Sequence, residues 1–128
     1  MTVSGSEIKD RRSTGLLRVP FVRRCSLELA DGTMTDGFIV NINVLGAYIS
    51  PARMLSVGET VSCRFRIPGN ERELVTAGLV VWVNLSQPHP VHSLPPGLGI
   101  KFRELSEESR SRIEGVVQDY VARHPKAH

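Results

Sequence analysis

The sequence lacks any run of about 20 apolar residues, the length that a membrane-spanning helix requires. Its first residues, MTVSGSEIKDRRS, also lack the apolar core of a secretory signal. Cysteine is scarce, and Cys25 and Cys63 stand alone in alternating apolar segments without a CxxC neighbour. These absences predict a cytoplasmic protein whose cysteines are small buried hydrophobic residues that form no disulfide.

Motifs that carry chemistry are also absent. No nucleophile, base and orienting residue occur in the arrangement of a hydrolase, and no glycine-rich phosphate loop of the Walker type is present. His89 and His92 lie close together in a proline-rich segment, but no cysteine or carboxylate lies between them. We therefore expect neither an enzyme, nor a metal site, nor a bound cofactor.

The chain has 128 residues, of which 41% are hydrophobic, and this predicts one folded domain. Its formal net charge is only +3, but basic residues are concentrated near the N-terminus. Such a segment either remains solvated or contacts nucleic acid, an anionic membrane, a phosphorylated small molecule or an acidic protein. The basic residues concerned are Lys9, Arg11, Arg12, Arg18, Arg23 and Arg24.

Alternating apolar and polar residues predict five or six short strands. The first begins near Phe21, and the second runs through Phe38 to Ile42 before a tight turn near Asn43 to Gly46. The clearest alternation is GETVSCRFRIP, in which every second residue from Val61 is apolar. Two more strands are predicted, one on each side of a proline-rich loop. The first is a long central strand, ELVTAGLVVWVNL, with a bend expected at Gly78, and the second is GLGIKFREL.

Near the C-terminus, the spacing of apolar residues changes from that of a strand to that of a helix. Ser106 is a candidate cap for a helix with acidic residues in its first turn. We expect Gly115 to permit close packing of this helix on the sheet. The apolar stripe of the helix consists of Ile113, Val116, Val117, Tyr120 and Val121.

Strands in series followed by one helix predict a mainly β fold, a small six-stranded antiparallel barrel with a C-terminal helix. No strand–helix–strand alternation is present, which excludes a doubly wound fold. We expect a flexible basic segment over residues 1–17, the barrel and helix over 18–122, and a tail over 123–128.

The order of these elements and the residues at their junctions resemble the PilZ domain of bacterial signalling proteins. The resemblance includes RVP before the first strand, NINVLGAYIS, GETVSCRFRIP, GLVVWV and GLGIKFREL. It implies a six-stranded barrel and a candidate ligand, the second messenger cyclic di-GMP. The implied protein is a non-catalytic regulator or adaptor in cyclic di-GMP or motility signalling that acts through a protein partner.

The family's binding signature combines an RxxxR motif before the first strand with a later [D/N]xSxxG motif. Arg18 matches the second arginine, but Thr14 stands in place of the first, and RxxxR occurs nowhere in the chain. Asn41 matches the [D/N] position and Gly46 the glycine, whereas Asn43 replaces the serine. The resemblance thus implies a degenerate site.

Three alternatives follow for the function. The domain is an adaptor that has lost the ligand, or it is a genuine receptor that uses Arg11 or Arg12 in place of the missing arginine. The receptor's remaining ligand-binding residues would be Arg18, Asn41, Asn43 and Gly46. A third alternative is a small barrel that binds nucleic acid through its basic residues. In each case Asn41, Asn43 and Gly46 also suit a simple turn, because asparagine and glycine favour positive φ.

Overall fold

Six antiparallel strands close into a barrel in the order β1-β2-β3-β6-β5-β4, and one helix follows them. The computed structural model describes residues 17–85 and 94–124. The predicted mainly β barrel with a C-terminal helix is confirmed. The elements are β1 (Val19–Leu29), β2 (Met34–Asn43), β3 (Gly46–Pro51), β4 (Thr60–Ile67), β5 (Asn70–Asn84), β6 (Gly97–Arg103) and α1 (Glu107–Arg123).

The period-2 pattern of β4 fills the interior of the barrel as predicted. Val61, Cys63, Phe65 and Ile67 are all buried, while the alternate residues lie on the outer surface. Each apolar side chain removed from water in this way contributes about 1.5–3 kcal/mol before the entropy of ordering is subtracted. The alternation therefore predicts both that this segment is a strand and which of its faces packs in the core.

Two strands differ from their predicted form. The second begins earlier, at Met34, because Met34 to Gly37 continue the pairing with β1. The register of β5 shifts against β4 opposite Arg66 and Ile67 and against β6 between Val80 and Trp82, and not at Gly78. Gly78 has a packing role instead, since a Cβ there would come within 2.6 Å of the Ile100 side chain.

Helix α1 begins and packs as its sequence predicts. The Ser106 hydroxyl accepts a hydrogen bond from the Ser109 backbone N–H at 3.0 Å, which satisfies one of the free donors of the first turn. Ile113 and Val117 are fully buried, and Val116, Tyr120 and Val121 pack at the edge of the core. No helix in the described ranges is long and apolar enough to cross a membrane.

The expected packing role of Gly115 is wrong. The residue is exposed, and a Cβ at this position would meet no atom within 4 Å. The apolar stripe of α1 packs on the barrel through other residues, and Gly115 only borders the open groove beside them.

Aromatic side chains form a layer on the outside of β3, β6 and β5. Tyr48 alternates with the core residues of β3, yet it is buried, because its hydroxyl bonds to the Pro95 carbonyl and accepts from Asn84 Nδ2 at 3.0 Å. Trp82 packs at 5.6 Å from the Tyr48 ring and remains 48% exposed. Gly97 and Gly99 provide the space for these two rings.

Because the thiols of Cys25 and Cys63 are buried, the stability of the protein should depend on pH. Burial raises the pKa of Cys25 and of Cys63 to about 12, against about 8.5 in an unfolded chain. Between these values the unfolded state releases a thiol proton that the native state keeps. The free energy of unfolding should therefore fall as the pH rises, by up to about 1.4 kcal/mol per pH unit for each thiol.

Urea titrations between about pH 7 and about pH 10 measure this slope. The matched variant Cys63→Ala should lose less stability over the same range, because it has one thiol fewer. Equal slopes for the two proteins would contradict the assignment.

Gly115→Ala should stabilise the protein. The helix interior accepts a methyl group without contact, and alanine lowers the backbone entropy of the unfolded chain. We expect the free energy of unfolding to rise by about 0.5–1 kcal/mol in urea denaturation. A decrease would mean that the glycine is required for packing after all.

Candidate functional site

The fold brings together two of the predicted site residues, Arg18 and Asn41. Arg18 directly precedes β1, whose Val19 and Pro20 pair with Ile42 and Asn41 of β2. Across this pairing Arg18 Nη1 donates a hydrogen bond to Asn41 Oδ1 at 3.1 Å. Two residues far apart in the chain thus form one polar site on the outer surface of the barrel.

The pair of Arg18 and Asn41 presents hydrogen-bond donors to solvent. Partial burial lowers the pKa of Arg18, but a guanidinium remains protonated at neutral pH. Only one of its five N–H donors is directed to Asn41, and the amide nitrogen of Asn41 bonds to nothing in the described part of the chain. The site is therefore suited to a ligand that carries negative charge and hydrogen-bond acceptors.

Asn43 lies in the same strand but turns into the protein. Its side chain is 3% exposed, and Oδ1 accepts hydrogen bonds from the backbone N–H groups of Leu45 at 2.9 Å and Gly46 at 3.1 Å. The asparagine thus closes the two-residue connection between β2 and β3. Positive φ is not required, since no residue from 41 to 46 adopts it.

Gly46 is required by strand packing. It pairs with Asn43 on one side and with Lys101 of β6 on the other. A Cβ at this position would overlap the carbonyl oxygen of Ile100. The glycine therefore allows β3 and β6 to pair closely directly beside the turn.

Arg11, Arg12 and Thr14 lie outside the described residues, as do His89 and His92. Within residues 17–85 and 94–124, no three side chains of histidine, cysteine, aspartate or glutamate gather where they could hold a metal ion.

Comparison with known protein families identifies the family of this chain. The PilZ domain profile matches residues 10–119. The chain belongs to the PilZ domain family. A search of curated proteins found no match.

Solved structures of PilZ proteins share the fold. The PilZ domain of CeSA from a cellulose-synthesizing bacterium has 17% identity and a TM-score of 0.56, over 81% of this chain and 97% of that chain. The PilZ domain of YcgR from Escherichia coli, solved with cyclic di-GMP, has 12% identity and a TM-score of 0.60, over 87% and 96%. Inhibitor of motility MotI/DgrA of Bacillus subtilis has 16% identity and a TM-score of 0.65, over 88% of this chain but only 52% of its own.

Sequence patterns did not place any aromatic residue beside the pair of Arg18 and Asn41. Tyr48 pairs with Asn41 across β2 and β3, Gly99 pairs with Tyr48, and Trp82 pairs with Gly99. The alternation that marks Tyr48 as outward-facing is visible in the sequence, but its burial depends on Pro95, which is distant in the chain. Trp82 is the only tryptophan, so its fluorescence reports on this surface.

The two asparagines should differ in their effect on stability. Asn43→Ala removes both acceptor bonds of a buried turn, and we expect a loss of about 1–3 kcal/mol in the free energy of unfolding. Asn41→Ala removes one exposed contact and should cost less than about 0.5 kcal/mol. Urea denaturation of the two variants tests the distinction, and comparable losses would contradict it.

Proposed function

We propose that this PilZ domain is a non-catalytic regulatory module that binds cyclic di-GMP at Arg18 and Asn41 and acts on a protein partner. The observation that carries the proposal is the hydrogen bond of 3.1 Å between Arg18 and Asn41. These residues match the best retained positions of the two signature motifs, and they lie side by side on the outer surface.

The chemistry of cyclic di-GMP suits this pair. The ligand carries two phosphate charges and two guanines, and an arginine fork can bind either a phosphate or the O6 and N7 atoms of guanine. The amide of Asn41 has both donors and an acceptor for a guanine edge. Asn43 and Gly46 support the site by holding the backbone of the turn.

The absence of the first arginine of RxxxR lowers the affinity that we expect for cyclic di-GMP. Replacing arginine with Thr14 removes a charge-assisted hydrogen bond of about 1.5–3 kcal/mol, which corresponds to a loss of about 10- to 150-fold in affinity. Arg11 or Arg12 can offset part of this loss if the N-terminal segment orders over the ligand, with an entropic cost. We propose residues 18–122 as the unit that folds around the remaining contacts.

The adaptor without ligand is the competing function. It is favoured by Thr14 and by the burial of Asn43, whose acceptor atom is already used within the turn. Both versions place the output in a contact with another protein and need no reaction at this surface. They differ only in whether cyclic di-GMP changes that contact.

Calorimetric titration with cyclic di-GMP separates the two versions. For a receptor we expect micromolar binding that Arg18→Ala and Asn41→Ala each weaken by about tenfold or more. Arg103→Ala removes an exposed arginine from a different strand end and serves as the control, with unchanged affinity. A flat trace for the unaltered protein at high ligand concentration would leave the adaptor as the function.

Restoring the signature should raise affinity. Thr14→Arg recreates RxxxR with Arg18, and we expect cyclic di-GMP to bind about 10- to 150-fold more tightly. Thr14→Gln adds length and hydrogen-bonding capacity without charge, so it should bind like the unaltered protein. No gain with arginine would show that the position does not face the ligand.

A further inference from the structure

Arginines from β1 and β4 gather on the outer surface of the barrel, away from the pair of Arg18 and Asn41. The pairing of β1 with β4 ends at Cys25 and Phe65, and Arg24 and Arg66 are the residues next to these two on their strands. Together with Arg23 these side chains line a surface depression of about 330 Å³. We call it the arginine depression, defined by Arg23, Arg24, Arg64 and Arg66.

The positive charge of the arginine depression is only partly balanced. Arg64 forms ion pairs with Glu28 at 3.3 Å and with Glu73 at 3.8 Å. No carboxylate in the described ranges forms an ion pair with Arg23, Arg24 or Arg66. Among the residues that the structure describes, three guanidinium groups of the depression therefore form no ion pair.

Two N–H groups of the depression point away from its surface. Nε of Arg23 and Nε of Arg64 are buried from solvent, and neither has a hydrogen-bond partner within residues 17–85 and 94–124. Because these atoms are closed to water, they are also closed to the oxygen of a docking partner, and they do not identify the partner. The charges at the surface of the depression carry the argument instead.

Apolar side chains border the same surface. Phe38 is 49% exposed and lies under the guanidinium of Arg24, with 5.7 Å between the Cζ atom and the ring centroid. Val75 pairs with Arg64 on β5 and is 46% exposed. Arginine and aromatic residues together are typical of protein interfaces.

We propose that the arginine depression binds an acidic segment of a protein partner, one that places two or three carboxylates on Arg23, Arg24 and Arg66 and an apolar side chain on Phe38. This deepens the proposed function by naming the surface through which the module acts, and it depends on that function only for the existence of a partner. Glu28, Asp36 and Glu73 border the arginines. An extended nucleic-acid backbone, with a charge at every nucleotide, would meet these carboxylates, whereas a short acidic segment fits between them.

The position of the depression allows the second messenger to influence it. Phe38 precedes Asn41 by three residues on β2, which is about 10 Å along a strand. A dianion bound at Arg18 and Asn41 would therefore lie about one Debye length from the arginines and lower their positive potential. Cyclic di-GMP should weaken binding of the acidic segment.

A defined peptide tests the surface directly. The probe is the acetylated peptide Glu-Glu-Leu-Phe-Glu-Glu-Gly, titrated into the ¹⁵N-labelled full chain and followed by amide shifts. We expect shifts centred on Arg24, Phe38 and Arg66, with a Kd of about 1 mM or tighter that weakens several-fold between about 50 and about 300 mM salt. The same peptide with lysine in place of glutamate should not bind.

Charge reversal supplies the matched control. The double variant Arg24→Glu with Arg66→Glu should weaken peptide binding at least about tenfold, whereas Arg103→Glu with Arg110→Glu changes the net charge equally at exposed positions elsewhere and should have little effect. If the reversed variant is misfolded by circular dichroism, Arg66→Gln provides the smaller change, with a loss of several-fold. Because the ligand lies about one Debye length from Arg24 and Arg66, the reversed variant should bind cyclic di-GMP a few-fold more weakly at about 50 mM salt and nearly like the unaltered protein at about 300 mM salt. The control double variant should keep the unaltered affinity at both salt concentrations, and loss of ligand binding at both concentrations would indicate a failure of the ligand site and not of this surface.

Three results would overturn the proposal. The first is no amide shift at about 5 mM peptide, well above the expected Kd. The second is an equal loss of binding in the two double variants, which would indicate an effect of net charge alone. The third is tighter binding of a single-stranded oligothymidylate than of the acidic peptide, which would assign the depression to nucleic acid.

Discussion

The turn between β2 and β3 is the constraint on which the rest of the site depends. Asn43 holds it through two backbone N–H groups, and the Phe102 N–H donates to the Leu45 carbonyl at 2.8 Å, which fastens the turn to β6. Gly46 makes that approach sterically possible. Because β2 is fixed at this end, Asn41 comes opposite Pro20 and within reach of Arg18.

This arrangement divides the second signature motif into residues that hold the backbone and a residue that lies at the surface. Asn43 and Gly46 are buried and serve the backbone, whereas Asn41 is partly exposed and faces Arg18. The asparagine that replaces the family's serine performs a local task, since a side-chain oxygen at that position can accept from the turn. The departure from the motif therefore leaves the pair of Arg18 and Asn41 intact.

Much of the fold follows from local patterns in the sequence. Alternation in β4, the cap at Ser106 and the apolar stripe of α1 are each decided by residues within one element, so they can be predicted. The orientation of Gly115 and the break in β5 depend on how elements meet, and no pattern within either element contains that information. The same holds for Gly46, whose critical neighbour, Ile100, comes from a distant strand.

The two proposed functional surfaces also differ in how much of each can be predicted from the sequence. Arg18 and Asn41 were predicted individually from their motif positions, but their contact follows only from the pairing of β1 with β2. The arginine depression was not predicted, because Arg24 and Arg66 belong to strands that are separated in sequence and joined by barrel closure. In the module that we propose, a small anionic ligand and an acidic partner bind at two separate sites on the outside of the barrel.

The most direct test of this account is the set of amide and side-chain resonances that shift when cyclic di-GMP is added to the ¹⁵N-labelled protein. We expect the largest changes at the Arg18 guanidinium and the Asn41 side-chain amide, with the Asn43 side-chain amide almost unmoved because its oxygen remains in the turn. Shifts that centre on Asn43 and spare Arg18, or a spectrum that does not change at saturating ligand, would contradict it.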